Sequence, residues 1–120
     1  MDEAIKLRPR DWSYQVSRAA LALAQGNPNA ASDWHDSAQN IMLGDKNKSA
    51  GLRFYTQTIT EYEAVVNDSN FAGLWSDTQA QTYGKLSQAY TVRYDMNKAE
   101  RDQQMANFYM GKYEATLKKK

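Results

Sequence analysis

Between residues 52 and 66, apolar side chains return at alternating intervals of three and four: Leu52, Tyr55, Ile59, Tyr62 and Val66. A strand changes face at every second residue, so only a helix can gather these five on one side. The embedded run "RFYTQTIT" is rich in threonine and aromatic residues, a composition that favours strands. The spacing overrides the composition and decides for helix. The same periodicity extends over most of the 120 residues, with six glycines and two prolines to interrupt it. The expected fold is therefore all-α, a bundle of four to five helices.

Local signals set the boundaries. Asp11 follows Pro9 and can cap a first helix whose stripe is Trp12, Val16, Ala19, Ala20 and Leu23, with Gly26 as its left-handed stop. Asn27 and Pro28 restart the chain as cap and first helical residue, and Ala31, Trp34, Ala38, Ile41 and Met42 form the next stripe up to Gly44. Ser49 is the expected cap of the third helix. "FAGLW" (71–75) is too short for a helix and reads as an apolar plug over the core. Ser76 and Gln79 fit a capping box. The helix they open carries Ala80, Tyr83, Leu86, Ala89, Tyr90 and Tyr94. Asn97–Glu100 marks a second start, so the C-terminal part forms either a helical hairpin or one long bent helix. Its last stripe is Ala99, Ala106, Tyr109, Met110, Tyr113 and Leu117. Residues 1–120 read as a single helical domain, with an N-terminal arm (1–10) and a basic tail (118–120).

Composition narrows the chemistry. With no cysteine, disulfides, thiolate metal sites and cysteine nucleophiles are excluded. The net charge of +1 gives no whole-molecule attraction for nucleic acid. The charge is uneven, however. Residues 1–10 carry +1, residues 98–120 carry six basic and three acidic side chains, and residues 11–97 carry six basic and nine acidic. A basic end of this kind is first of all a solvated tail, and basic ends around an acidic body could also favour head-to-tail packing of copies. The opening "MDEAIKLRPRDW" has no apolar run of a signal peptide, and no stretch is apolar enough to span a bilayer.

No catalytic constellation stands out. His35 is the only histidine, and on a helix it points about 100° from Trp34 and from Asp36, while Asp33 and Asp36 share a face. One histidine without a second ligand makes no zinc site, and packing or surface placement is its expected role. Tyr94 and Lys98 have the Tyr-x-x-x-Lys spacing of short-chain dehydrogenases, without the glycine-rich dinucleotide turn that this chemistry needs. Glu61 and Glu63 are two apart and face away from each other. A helix-turn-helix around Gly26 would place Asp33 and Asp36 against phosphates. The expectation is no enzyme, no metal and no cofactor.

The eight tyrosines, five of them between 83 and 113, suit half-buried positions and interfaces. The segment Tyr83-x-x-Leu86-x-x-Ala89-Tyr90-x-x-Arg93-Tyr94-Asp95, followed by Ala99, Ala106, Phe108-Tyr109, Tyr113 and Leu117, resembles the C-terminal helical hairpin of small head–tail connector (adaptor) proteins of tailed phages. The resemblance implies a non-enzymatic virion protein. It would form a ring-like homo-oligomer beneath the portal, with portal and tail proteins as partners and DNA only as non-specific cargo. The alternatives are a cytoplasmic protein-interaction module or phage-encoded inhibitor, and a small nucleic-acid-binding protein that uses its basic C-terminus. The candidate interface residues are Arg8, Arg10, Phe71, Trp75, Arg101, Phe108, Lys112, Lys118, Lys119 and Lys120.

Overall fold

A computed structural model describes residues 11–45 and 48–118. Among these the chain forms five α-helices and one 3-10 turn: α1 (Trp12–Ala24), α2 (Pro28–Leu43), α3 (Lys48–Val66), the turn Phe71–Gly73, α4 (Ser76–Asn97) and α5 (Glu100–Lys118). The described residues contain no strand, and the fold is all-α.

Two residues in the left-handed region set the topology. Gly26 (φ 78) turns α1 back onto α2, and Lys98 (φ 55) turns α4 back onto α5. Glycine adopts that conformation at no steric cost, whereas lysine does so only when its surroundings hold it. Here Lys98 N donates to Tyr94 O at 2.7 Å, and Asn97 Oδ1 accepts from Ala99 N at 2.8 Å. The Lys98 ammonium also sits 5.2 Å above the Tyr94 ring. Beneath this turn the Arg93 guanidinium grips the buried Asp102 carboxylate with two bonds, of 2.9 and 2.7 Å. The C-terminal part is thus a hairpin and not one bent helix. Tyr94 and Lys98 serve its turn.

The caps at Asp11 and Asn27 form as expected, accepting from Tyr14 N at 3.2 Å and Ala30 N at 3.1 Å. Two others are corrected. Helix α3 starts at Lys48, one residue ahead of Ser49. Helix α4 includes Ser76 and has Trp75 before it, without a side-chain cap. Gln79 does not close a capping box. Its amide turns back to the carbonyls of Phe71, Ala72 and Leu74, at 3.2, 3.3 and 2.7 Å, and so ties the 3-10 turn to the first turn of α4.

Helix α3 lies between the two hairpins and packs against α1 on one flank and α4 on the other. Its buried side is accordingly wider than one stripe. Tyr55, Ile59 and Tyr62 are buried as expected, and so are Phe54, Thr58 and Val65. Thr58 and Thr82 keep their hydroxyls satisfied by donating to the carbonyls of Phe54 and Thr78. The expected stripe of α5 is also corrected, since Ala99, Met110 and Leu117 are exposed. The side of α5 that meets α4 is Asp102, Ala106, Tyr109, Tyr113 and Thr116, a three-four alternation with polar residues at both ends. Gly84 gives the Tyr113 ring its seat on α4, because a Cβ there would come within 3.3 Å of that ring.

The two glutamates of α3 fasten it in opposite directions. Glu61 accepts from Ser17 Oγ of α1 at 2.9 Å, beside a Gln57–Ser13 pair at 2.8 Å. Glu63 Oε2 accepts from Tyr90 OH of α4 at 2.6 Å and from Tyr109 OH of α5 at 3.0 Å. Replacing Glu63 by alanine leaves two buried phenols without an acceptor and should cost about 2–4 kcal/mol in urea denaturation, against about 1 kcal/mol for Tyr90→Phe or Tyr109→Phe alone. Losses in the two single variants that simply add in the Tyr90→Phe, Tyr109→Phe double variant would show that the carboxylate does not couple them.

Candidate interaction surface

The buried ionisable groups are spent on bonds between helices. His35 of α2 is buried against the Phe54 ring, 5.5 Å away, and its Nδ1 is 2.9 Å from Tyr62 OH of α3. Burial, aided by the Lys85 charge and opposed by Asp36, lowers the His35 pKa from its ordinary 6.5 to about 4, so the imidazole is neutral near pH 7. Burial raises the phenol pKa values of Tyr62, Tyr90 and Tyr109, and nearby carboxylates add to the effect. The hydrogen bond with Asp102 raises the Arg93 pKa, and the same bond lowers that of Asp102. Gln15 Oε1 is the only buried side-chain oxygen or nitrogen without a partner among the described residues. His35 and the three tyrosines are thus neutral near pH 7, Arg93 and Asp102 are charged, and all six serve as struts between helices.

What is left for partners lies outside. Trp75 is 84% exposed just before α4, and Phe108 is 52% exposed on α5. Phe108 meets Tyr109 edge-on at 5.2 Å and carries the Lys112 ammonium 5.5 Å above its own ring. Nothing among the described residues lies within 4 Å of a Cβ placed on Gly111, and Gln104 and Ala115 on the same side are exposed, so no other described helix covers this face of α5. Arg101 and Lys118 are exposed on the same helix. Phe71 leaves the candidate set. The 3-10 turn drives it into the core against Tyr83, with ring centroids 5.4 Å apart, so "FAGLW" plugs the core with Phe71 and Leu74 and leaves Trp75 out. Arg8, Arg10, Lys119 and Lys120 lie outside the described residues.

One surface was missed from sequence. The outward side of α2 carries Asn29, Asp33, Asp36, Asn40 and Leu43, all exposed, with Leu43 at 67%. A helical projection of residues 28–43 separates these from Ala31, His35, Ala38 and Met42, and would have found them. A separate groove of about 550 Å³ runs between the start of α2, the start of α4 and the end of α5, lined by Ser32, Gln81, Lys85, Tyr113 and Leu117 among others.

No family model matches the chain, and no curated protein or solved structure is significantly similar to it. No helix among the described residues is long and apolar enough to cross a membrane.

The buried imidazole makes stability pH-dependent. As pH falls below 6.5 the unfolded chain takes up a proton that the folded chain resists until about 4, so stability is full above that window and falls within it. Urea denaturation should show about 2 kcal/mol less stability at pH 5 than at pH 7.5 from this group alone. His35→Gln, which offers Tyr62 a partner that does not titrate, should remove that loss. An unchanged pH slope would contradict the assignment.

Proposed function

We propose that this chain is a non-enzymatic structural protein that works by self-association, and that its setting is the virion of a tailed phage, as a head–tail connector forming a ring beneath the portal. The observation that carries the reading is the half-exposed Phe108 under Lys112, on a side of α5 that no other described helix covers. Exposed aromatic side chains are what protein interfaces concentrate. The interior supports the same reading, since its histidine, tyrosines and buried Asp102 already bond one helix to another. The resemblance of the Tyr83–Leu117 segment to connector hairpins supplies the setting, with portal and tail proteins as partners and DNA as cargo passing through the ring.

Sedimentation velocity of the purified chain, alone and mixed with a portal protein, tests the proposal. The expected outcome is a species larger than the 13.7 kDa chain that grows with concentration and co-sediments with the portal. A strict monomer with no affinity for portal or tail proteins would overturn it. Salt-sensitive DNA binding that is lost on deleting Lys118–Lys120 would move the reading to nucleic acid.

A further inference from the structure

We infer that the Phe108 edge of α5 docks on the outward side of α2 in a second copy of this chain, a head-to-tail contact that deepens the self-association reading and rests on it. At 100° per residue, Arg101, Phe108 and Lys112 fall within an arc of about 40°, while Glu100 and Glu114 lie roughly 100° or more from its centre. This edge is therefore aromatic and purely cationic. The outward side of α2 is its counterpart. It carries Asp33, Asp36 and the exposed Leu43, and there is no lysine or arginine anywhere between Arg18 and Lys46. Among the described residues, Lys85 Nζ reaches Asp36 at 4.0 Å, and the Arg18 guanidinium lies 5.5 Å over the Trp34 ring.

The spacings match as well as the charges. Arg101 precedes Phe108 by seven residues and Asp36 precedes Leu43 by seven, each about 10.5 Å along a helix. Helices laid parallel thus set Arg101 against Asp36 when Phe108 meets Leu43. One chain cannot make this contact with itself. Leu117 lies about 180° around α5 from Phe108, and Leu117 is the side that lines the groove shared with α2. The contact is therefore heterologous, and copies joined by it close into a ring or run on as a filament. A single helix-on-helix contact is small and weak in isolation, so closure must add to its strength.

Charge reversal in two variants, studied by sedimentation equilibrium up to millimolar concentration, tests the pairing. One carries Arg101→Glu with Lys112→Glu, the other Asp33→Lys with Asp36→Lys, and circular dichroism checks that both remain folded. Each alone should associate about tenfold or more weakly than the original chain. An equimolar mixture should recover association, because each variant then presents the surface that the other lacks. Should the α2 reversal unfold the chain, Leu43→Asp replaces it, with about tenfold weaker association expected and an unchanged association constant counting against the inference. Association unaffected by both reversals, or not recovered on mixing, would overturn the pairing and leave self-association standing. An original chain that stays monomeric at millimolar concentration would overturn both. Binding of DNA through the α5 edge instead of a second copy would overturn the inference too.

Discussion

The carboxylate of Glu63 holds the fold at the point where three helices meet. One oxygen accepts hydrogen bonds from the phenols of Tyr90 and Tyr109, on α4 and α5, while the glutamate itself stands on α3. Tyr109 lies between the rings of Tyr83 and Tyr90, at 6.1 and 5.9 Å, so the polar bond sits at the edge of an aromatic stack. Neither part would serve without the other. The stack buries apolar area, and the carboxylate gives the hydroxyls that come with it a partner. On the opposite flank Glu61 does the same for α1 through Ser17. Both hairpins are thereby referred to one central helix.

That arrangement explains which parts of the fold the sequence reveals. Most of the stripe positions of α1 to α4 were legible because they are apolar, though Leu52 is exposed and the polar Gln15, His35, Thr58, Thr78, Thr82 and Ser87 are buried beside them. The turn at Gly26 and the caps at Asp11 and Asn27 carry residue types with a local reason to be there. The inner side of α5 was not legible, since Asp102 and Thr116 stand at positions that a hydrophobic pattern reads as exterior. Asp102 is inside because Arg93 and Asn97 meet it there, and those partners come from the preceding helix. Met110 and Leu117 were placed in the core for the converse reason: they are apolar, but α5 packs on α4 along a strip too narrow to include them. The fate of Phe71 depended on Gln79 closing the 3-10 turn, a long-range use of a residue that also fits a capping box.

The candidate surface was legible by half. Phe108 stands about 100° from Tyr109 on any helix, which singles it out without coordinates. Its mate on α2 was hidden in plain view, because Asp33 and Asp36 drew attention only as neighbours of His35. The structure separates them: the histidine turns inward to Tyr62 and the carboxylates outward with Leu43. The molecule divides its chemistry in this way. The buried ionisable groups are committed to helix–helix bonds, while charge and exposed aromatic area are laid along the outer edges of α5 and α2.

The central claim is that the interior is sealed around Glu63 and that the outer edges of α5 and α2 are what other copies cover. Hydroxyl-radical footprinting at dilute and at high protein concentration reads both at once. The account predicts that Tyr90 and Tyr109 resist modification throughout, while Phe108 and Leu43 are modified in dilute solution and become protected together as concentration rises. Modification of Tyr90 or Tyr109 in the dilute folded chain, or equal modification of Phe108 and Leu43 at every concentration, would contradict it.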